Sequence, residues 1–427
     1  MNILLLGSGG REHALAVKML TSHHCNKLFV APGNAGTATI AINVDLGVND
    51  FNAITNFCIS QKINLLVVGP EEPLVNGIYD ALKLVDELKD MIIVAPSKQA
   101  AQLEGSKDFA KRFMQKHHIP TANYATFDRS NFLEGKQYIS YQPLPIVLKA
   151  DGLAAGKGVV ICNNHEEAIE VFDSMIMQQQ FGKASERVVV EEFLQGIELS
   201  VFVLTNGQDY QIIGHAKDYK QIGEGNIGLN TGGMGCVTPV PFVTEEFMSL
   251  VEETIIKPTI LGLQNDGLVY NGFIFFGLMN CNGVPKVIEY NCRLGDPETE
   301  VVLPRLETDL VSLFAAMDNG TLVDANIEFN EGSFATVVTV SGGYPGDYKK
   351  HLPIDNLENI KTVNSTIYFA GVGVNEDNVL QTNGGRVFAV TSVGKNLNEA
   401  VEASNSIANQ INYEGKYFRT DIGFEFL

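Results

Sequence analysis

The sequence has no long hydrophobic run, although hydrophobic residues make up 45% of its 427 positions. No stretch approaches the roughly 20 apolar residues that a membrane-spanning helix needs. The first segment, MNILLLGSGGREHAL, has no basic start, and glycines interrupt its apolar residues at once. It therefore predicts a buried first strand rather than a signal peptide. We expect a soluble, cytoplasmic protein that binds no membrane.

Cysteine pairs and positive charge are also scarce. The six cysteines lie far apart and include no C-x-x-C pair, which is typical of a reduced, cytosolic protein without a zinc site. Lysine and arginine number 30 against 50 aspartate and glutamate residues, a formal net charge of −20. A diffusely acidic surface argues against nucleic acid as a partner. It still allows a phosphorylated ligand, because local cations, backbone amides and a metal ion can offset charge within one cleft.

The patterns that are present predict a multidomain protein of mixed α/β and α+β class. The chain is longer than one ordinary domain. Its first part alternates short apolar strands with helical patterns, which predicts a doubly wound parallel sheet whose ligand loops follow the carboxyl ends of the strands. We place a doubly wound domain at 1–105, a lid subdomain with a linking helix at 106–194, an antiparallel core at 195–329 and a small β-rich domain at 330–427.

Local signals refine this division. Residues 103–117 read as one helix, and residues 188–194 read as one strand. The dipeptides Asn206-Gly207 and Asn282-Gly283 separate apolar runs, and Asn-Gly is a strong hairpin signal. Residues 397–411 predict an amphipathic helix near the end of the sequence.

A glycine-rich segment, PIVLKADGLAAGKGVV, superficially suggests a Walker A loop. The spacing of Gly152, Gly156 and Gly158 does not match that motif, and strands flank the segment where a Walker A loop needs a strand and then a helix. We interpret it as a β-hairpin whose tip turns its amides onto phosphates and closes as a lid. Lys149 and Lys157 would add positive charge. An ordinary mobile hairpin is an equally good interpretation of this motif alone.

The segment VPKVIEYNCRLGDPETE carries a candidate metal site. Side chains alternate faces along a strand, so Glu289 and Asn291 point the same way, about 7 Å apart, and can reach one ion. Such oxygen ligands suit Mg²⁺, which keeps waters and bridges substrate phosphates. Arg293 would lie on that face if the strand continued, placed for a phosphoryl group or a carboxylate. A solvated polar face is the simpler interpretation, and residues 273–279 supply no third carboxylate.

Two further motifs indicate ligand contacts. NTGGMG, at 230–235, holds three glycines in six residues, and its amides could hold a carboxylate; a tight structural loop is the alternative. In VVVEEFLQGIE, a buried strand runs into Glu191–Leu194, whose backbone could meet an adenine edge, while Glu198 could accept from ribose hydroxyls. Taken singly, these glutamates read as surface charge.

Taken in order, the motifs resemble a known family. GSGGREHAL, VAPGNAGT, VVGPEEPLV, LEGSKDFAK, KADGLAAGKGV, VEEFLQGIE, NTGGMG, KVIEYNCRLGDPETE, SGGYPGDY and TNGGRV span nearly the whole chain. They resemble the ATP-grasp superfamily and, within it, the phosphoribosylamine–glycine ligases of purine biosynthesis. The resemblance implies ATP as co-substrate, Mg²⁺ (or Mn²⁺) as metal, and glycine and 5-phosphoribosylamine as substrates. It implies a monomer, in contact at most transiently with the enzyme that supplies phosphoribosylamine.

The resemblance also assigns roles to residues. It implies that ATP meets Lys107, Lys149, Gly152, Gly156, Lys157, Gly158, Glu191, Glu192, Phe193, Leu194 and Glu198, and that the metal ion meets Glu289 and Asn291. It implies that glycine and the acyl phosphate meet Arg293, Asp218, Asn230, Thr231, Gly232 and Gly233. For phosphoribosylamine we expect Gly9, Gly10 and Arg11 at a helix N-terminus, with Glu71, Asp296 and Arg386.

Three other interpretations compete with this one. A dinucleotide-dependent dehydrogenase would need a third glycine where Glu12 stands, and a carboxylate opposes a pyrophosphate. A biotin-type carboxylase or another purine-pathway ligase shares the ATP-binding motifs but not the match at both ends of the chain. A catalytically silent nucleotide-binding scaffold would be favoured by loss of Lys149, Glu289, Asn291 or Arg293, and all four are present.

Overall fold

The computed structural model describes residues 1–154, 158–355 and 357–427. Its strands are grouped into one large sheet and three smaller ones. No helix within these ranges is long and apolar enough to cross a membrane. The predicted combination of a parallel part, an antiparallel core and a β-rich last part is confirmed by the elements described below.

The first five strands form the parallel end of the large sheet. The elements are β1 (Asn2–Gly7), α1 (Gly10–Leu20), β2 (Lys27–Pro32), α2 (Thr37–Ile40), β3 (Ile42–Asn43), α3 (Phe51–Gln61), β4 (Leu65–Val68), α4 (Glu71–Asn76), α5 (Ile78–Lys83) and β5 (Ile92–Pro96). β1 pairs in parallel with β2 and β4, and β4 pairs in parallel with β5. The loops after β1 and β4 therefore lie at the same edge of the sheet, where ligands bind in such folds.

These strands are continuous apolar runs because both faces of the sheet are covered. Leu4 and Leu6 belong to one core cluster, and Ile3 and Leu5 to another on the opposite face. All four side chains are fully buried. This double burial fixes the position of the loop after β1.

The segment that links the parallel part to the lid consists of two helices, α6 (Gln102–Gly105) and α7 (Lys107–Lys116). The single helix predicted over 103–117 is therefore wrong at Ser106. Ser106 has an extended backbone, and its hydroxyl oxygen accepts a hydrogen bond from the Phe109 N–H at 3.1 Å. It thus caps a new helix, a role that serine commonly takes. The break places Lys107 in the first turn of α7.

The lid has its own four-stranded antiparallel sheet, in the order β6-β9-β7-β8. Its elements are β6 (Tyr124–Asp128), α8 (Phe132–Tyr141), β7 (Ile146–Ala150), β8 (Val159–Cys162), α9 (His165–Met177) and β9 (Arg187–Glu192). Phe172 of α9 packs among the buried strand residues Leu148 and Val190. β9 ends two residues earlier than the predicted strand. The predicted tip residues Gly156 and Lys157 lie outside the described residues.

The antiparallel core follows. Its elements are β10 (Ile197–Thr205), β11 (Tyr210–Asp218), β12 (Gln221–Gly223), β13 (Ile227–Asn230), β14 (Gly235–Thr238), α10 (Glu245–Val251), α11 (Lys257–Asn265), β15 (Tyr270–Cys281), β16 (Val284–Asn291), α12 (Thr299–Arg305) and α13 (Leu310–Asn319). Asn282 and Gly283 form the two-residue turn between β15 and β16, at φ +53° and +90°, as predicted. The β10–β11 hairpin is also confirmed, with a longer loop at 206–209.

The last part consists of β17 (Ser333–Val340), β18 (Ser365–Phe369), β19 (Val372–Val374), β20 (Leu380–Thr382), β21 (Arg386–Gly394) and the predicted helix, α14 (Leu397–Gln410). β14 pairs with β17, and β15 pairs with β5. Strands from the first, central and last parts therefore share one 13-stranded sheet. The sheet joins the predicted units 1–105, 195–329 and 330–427, and the lid keeps a sheet of its own. The predicted boundaries at 105, 194 and 329 stay predictions.

Candidate active site

A cleft of about 550 Å³ lies between the lid, the core and the first and last parts of the chain. Its volume is in the range of pockets that hold a nucleotide-sized ligand. Most of the described residues predicted for the site line it: Arg11, Glu71, Lys107, Lys149, Gly158, Glu191, Glu198, Asp218, Asn230, Thr231, Gly232, Glu289, Asn291, Arg293, Asp296 and Arg386. Residues far apart in sequence thus meet around one space.

Other predicted residues lie behind this lining. The Gly152 N–H donates to the Ala184 carbonyl at 3.1 Å. Gly233 adopts φ +115° and packs against the ring of Pro297, which makes it a structural position of its loop. The remaining predicted residues outside the lining are Gly9, Gly10, Glu192, Phe193 and Leu194.

One end of the cleft holds two lysines on one carboxylate. Oε2 of Glu191 lies 2.9 Å from Nζ of Lys149 and 3.1 Å from Nζ of Lys111, and all three side chains are buried. Burial, partly opposed by Glu191, lowers the pKa of Lys111 to about 8. Oε1 of Glu191 has no hydrogen-bond partner within the described part of the chain. A buried acceptor of this kind is available to a ligand.

An apolar slot adjoins this carboxylate. It is lined by Leu103, Ala110, Met114, Val159, Ile161 and Ile288. The Glu192 N–H donates to the Asn123 carbonyl at 3.0 Å and so belongs to the sheet of the lid. Across the described ranges, no hydrogen bond uses the backbone N–H of Phe193 or Leu194. These side chains give the cleft an apolar side, and the unbonded amides of Phe193 and Leu194 lie outside the lining at the end of β9.

The carboxylate and amide predicted for a metal lie on one face of β16. Glu289 and Asn291 both line the cleft; Tyr290 between them also reaches its lining, but its side chain is buried in the core cluster. Oδ1 of Asn291 accepts from Nη2 of Arg293 at 3.3 Å. The described residues hold no group of three or more His, Cys, Asp or Glu arranged for a metal ion. These two oxygen donors fit a cation such as Mg²⁺ that completes its shell with water and phosphate.

Arg293 lies just beyond the end of β16, between two carboxylates. Its Nη2 is 2.9 Å from Oε1 of Glu104, and its Nε is 3.4 Å from Oε2 of Glu71. Burial raises the pKa of Glu104, and Arg293 opposes that rise. Glu104 also accepts from the Cys292 N–H at 2.7 Å. The guanidinium is therefore held in one orientation at the wall of the cleft.

A charged cluster lies across from Arg293. Lys220 forms an ion pair with Glu198, and its Nζ is 4.0 Å from Oδ2 of Asp218. Burial would lower the pKa of Lys220, but Asp218, Glu198 and Glu289 together raise it well above the usual range. Burial, with a further contribution from Asp218, raises the pKa of Glu298 to about 7. This wall therefore carries a firmly protonated ammonium and a carboxyl group that titrates near neutral pH.

The N-terminus of α1 is less open to an anion than its sequence indicates. Oε2 of Glu12 accepts from the Gly9 N–H at 2.6 Å, and its Oε1 lies 2.6 Å from Nε of Arg11. A carboxylate therefore already occupies the amide that we expected to bind phosphate. Gly10 packs against Glu300, whose Oε1 would lie 2.5 Å from a Cβ at that position.

The last part of the chain closes the cleft through Arg386. Its Nη1 lies 2.9 Å from Oδ1 of Asp296 and donates to the Gly232 carbonyl at 2.6 Å. The Gly232 N–H donates to the Tyr344 hydroxyl at 2.9 Å. Arg386 and Tyr344 therefore hold residues 230–233, the NTGG loop, in place.

Known protein families match this chain over most of its length. Family profiles described as phosphoribosylglycinamide synthetase match residues 1–104 (N domain), 105–299 (ATP-grasp (A) domain) and 334–425 (C domain). The chain belongs to the phosphoribosylglycinamide synthetase family. The resemblance read from the motifs, and the ATP-grasp ligase class that it implied, are confirmed.

Relatives of this family match along the full chain. The phosphoribosylamine–glycine ligase of Pasteurella multocida is 44% identical over 430 residues, which cover 99% of this chain and 98% of that protein. The enzyme of the same name from Nostoc sp. is 44% identical over 428 residues, covering 99% of both chains. A bifunctional purine biosynthetic protein of Dictyostelium discoideum is 41% identical, and the match covers 54% of its length.

Solved structures agree with the family assignment. The phosphoribosylamine–glycine ligase of Thermotoga maritima has a TM-score of 0.83 and 33% identity, with 99% of this chain and 100% of that chain covered. Biotin carboxylase of Campylobacter jejuni reaches a TM-score of 0.74 at 16% identity over 99% of this chain and 94% of that one. At that identity the likeness shows the fold alone. The ATP-grasp architecture is therefore confirmed, and the family match sets this chain apart from the carboxylases.

Sequence reasoning missed several members of the synthetase cleft: Glu104, Lys111, Lys220 and Glu298. Lys220 lies two residues after Asp218, which the resemblance assigned to the site. Glu298 stood within the quoted motif GDPETE, and Lys111 lies one helical turn after Lys107, a spacing that places both on one face of α7. These signals could have identified three of the four.

Proposed function

We propose that the cleft joins glycine to 5-phosphoribosylamine with ATP, giving glycinamide ribonucleotide, ADP and phosphate by way of glycyl phosphate. The observation that carries this proposal is that all three family-matched parts contribute to one cleft. Arg11 comes from the N domain, Glu289 from the ATP-grasp domain and Arg386 from the C domain. A site that only bound ATP would not need the first and last of these.

The reaction needs activation because a carboxylate does not react with amines at neutral pH. A glycine carboxylate oxygen attacks the γ-phosphorus of ATP, and the bond to the β–γ bridging oxygen breaks to release ADP. The amine of phosphoribosylamine then attacks the acyl carbon, phosphate leaves, and the nitrogen loses a proton. Both steps depend on positioning and on stabilisation of negative charge, more than on acid–base groups of the protein.

The ATP end of the proposal rests on the buried lysines. Lys149 and Lys107 would neutralise phosphates, since both line the cleft and Nζ of Lys107 already contacts the Gly152 carbonyl at 3.3 Å. The adenine ring would occupy the apolar slot. Its edge would meet the backbone of Phe193 and Leu194, because the Glu192 amide is used within the sheet. Glu198 would accept from the ribose hydroxyls.

Glu289 and Asn291 would hold Mg²⁺ or Mn²⁺. When bound, the ion would supply positive charge against the phosphate oxygens. The protein's own part is to aim two oxygen donors at one point of the cleft, on alternate residues of a buried strand. Arg293 fixes the amide by donating to Asn291 Oδ1.

The sites for glycine and phosphoribosylamine would lie on either side of Arg293. Glycine would be placed by Arg293, Lys220 and Asp218, with the loop Asn230–Gly232 covering it. Phosphoribosylamine would be placed by Arg11, Glu71, Asp296 and Arg386. A phosphate at the Gly9 amide would have to displace the Glu12 carboxylate, so we favour the two arginines as its partners. We further propose that the enzyme works as a cytoplasmic monomer.

The test is ADP release from the purified chain with Mg-ATP and glycine, with and without phosphoribosylamine generated in situ. ADP formation that needs both substrates, with a product mass equal to glycinamide ribonucleotide, would support the proposal. Turnover with bicarbonate in place of glycine would overturn the substrate assignment and keep the ATP-grasp chemistry. ATP binding without turnover of any acid would indicate a catalytically silent nucleotide-binding protein.

A further inference from the structure

A segment of the last part of the chain is hydrogen-bonded to a hairpin whose two ends lead into the cleft. We call residues 417–425 the C-terminal strap and residues 221–230 the cleft hairpin. Polar contacts join them along their length: the Tyr417 hydroxyl donates to the Ile222 carbonyl at 3.0 Å, the Thr420 N–H donates to Glu224 Oε1 at 3.2 Å, and the Gly225 N–H donates to Asp421 Oδ2 at 2.6 Å. The strap therefore holds the hairpin at several successive residues.

Arg419 is the centre of this contact. Its side chain is 0% exposed, and Nη1 donates to the Gln221 carbonyl at 3.1 Å and to Oδ1 of Asn226 at 2.9 Å. Nε and Nη2 form a two-pronged pair with Asp421 at 2.8 and 2.9 Å. The guanidinium also lies 5.3 Å from the ring centre of Tyr219. Charge-assisted and bidentate hydrogen bonds are the strongest and most directional of their class, so Arg419 joins β12 and the turn of the hairpin to the strap.

The cleft hairpin has little else to hold it. β12 and β13 form a separate two-stranded sheet, and an isolated two-stranded ribbon is marginally stable in water. Ile227 and Leu229 are 66% and 67% exposed, and of its three apolar side chains only Ile222 packs against a buried cluster. Its position therefore depends on Ile222, on polar contacts at its base and on the strap.

Both ends of the hairpin lead into the cleft. Lys220 precedes β12, Asn230 ends β13, and Thr231 and Gly232 follow it; all four line the cleft. The Thr231 N–H and hydroxyl both donate to the Lys220 carbonyl, each at 2.7 Å. A displacement of the hairpin would therefore move the groups that we assign to glycine, while the lysines around Glu191 belong to other elements.

We propose that Arg419 is a positioning residue for the acceptor side of the cleft. It holds the cleft hairpin in the geometry in which Lys220 and the NTGG loop face the substrate. The proposal rests on the proposed function for the identity of that substrate. The inference about Arg419 goes beyond the proposed function by assigning a role to the C-terminal strap, which contributes no residue to the cleft lining.

The test compares Arg419→Gln and Arg419→Lys with Glu414→Gln, an exposed position that contacts Lys349 rather than the hairpin. Arg419→Gln is expected to raise the KM for glycine roughly 10-fold to 100-fold, the range associated with misplacement of a binding group by about 1 Å. The KM for ATP should change much less, and Arg419→Lys should recover part of the loss. Glu414→Gln should match the wild type.

Hydrogen–deuterium exchange supplies a readout that does not depend on the substrate. Residues 221–230 should exchange faster in Arg419→Gln, with β10 and β11 unchanged. Unaltered exchange in the hairpin would overturn the proposal, as would equal rises in the two KM values. If Arg419→Gln fails to fold, two other variants replace it. Tyr417→Phe removes the hydroxyl that donates to the Ile222 carbonyl, and Thr420→Val removes the hydroxyl that donates to Glu224 Oε1 at 2.5 Å. Both must show the same selective exchange. If the wild-type protein did not turn over glycine, the proposed function would be wrong, and the exchange measurement would still test the role of Arg419.

Discussion

Nζ of Lys149 lies 2.9 Å from Oε2 of Glu191, and both side chains are more than 90% buried. The same oxygen is 3.1 Å from Nζ of Lys111. Two ammonium groups therefore share one carboxylate, so these three side chains together carry an excess of positive charge. A polyphosphate entering the cleft would meet that excess, so the arrangement is incomplete until an anion is bound.

The first prediction concerns stability. Glu191→Gln removes the common partner of Lys111 and Lys149 and should lower the free energy of unfolding by about 3–5 kcal/mol, the usual effect of leaving a buried charge unpaired. Lys149→Met leaves Lys111 and Glu191 as a matched pair and should lower it less. Urea unfolding of the two variants measures the difference. A larger effect from Lys149→Met would contradict the shared-carboxylate arrangement.

The second prediction concerns ATP. Lys149→Ala should raise the KM for ATP about 10-fold to 100-fold, because a hydrogen bond to a charged group contributes roughly 1.5–3 kcal/mol and 1.4 kcal/mol corresponds to a factor of ten. The matched control is Lys136→Ala, a lid lysine that pairs with Asp173 at the surface. Steady-state kinetics at saturating glycine and phosphoribosylamine test both variants. An unaltered KM in Lys149→Ala would place that lysine away from ATP.

Local patterns predicted much of this fold. The first strand, the helix at 397–411 and the Asn282-Gly283 turn follow from apolar period and turn chemistry, which depend on neighbouring residues. Ser106 was missed because the helical period continues through it, and the break is stabilised from outside: its hydroxyl donates to Asp151 at 2.8 Å. Glu104 and Arg293 are almost two hundred positions apart, so their 2.9 Å contact depends on tertiary packing that no local pattern contains.

The third prediction concerns pH. Glu298 has a folded-state pKa of about 7, above the usual value for glutamate near 4.3. The folded state therefore binds more protons than the unfolded state between these values, and its stability falls as pH rises through that window, by about 1.4 kcal/mol for each pH unit. Glu298→Gln removes this loss. The free energy of unfolding of the variant minus that of the wild type should therefore increase from pH 5 to pH 8.

Urea unfolding at the two pH values measures that gain, with the exposed Glu331→Gln as control. Other groups titrate in the same range, so the quantity to compare is the difference between variant and wild type at each pH. A difference that does not change between pH 5 and pH 8 would mean that Glu298 is already ionised in the folded protein. Asp218→Asn should shrink the effect, because Asp218 contributes to the raised pKa of Glu298.

The fourth prediction compares neighbouring glycines in the NTGG loop. Gly233 has φ +115° and a Cβ there would lie 2.3 Å from the ring of Pro297, whereas a Cβ at Gly232 would meet the end of the Arg386 side chain at 3.0 Å. Gly233→Ala should therefore cost at least about 1–3 kcal/mol of backbone strain and raise the KM for glycine. Gly232→Ala should be milder in thermal unfolding. Equal effects would show that the backbone at 233 is not constrained by its surroundings.

The last prediction concerns Glu289. Its side chain is half-buried and lines the cleft on the same face as Asn291, so its proposed role is toward a cation rather than toward folding. Glu289→Ala should lower turnover roughly 100-fold and leave the urea midpoint nearly unchanged, and Glu376→Ala, at an exposed loop position, should alter neither. Thermal unfolding supplies a second readout: Mg-ATP should raise the Tm of the wild type more than that of Glu289→Ala. If saturating Mg²⁺ restored the full rate, Glu289 would contribute to the affinity for the ion and not to its placement. If the substitution left the rate unchanged, Glu289 would lie outside the metal site. Asn291 alone could not support the proposed metal site.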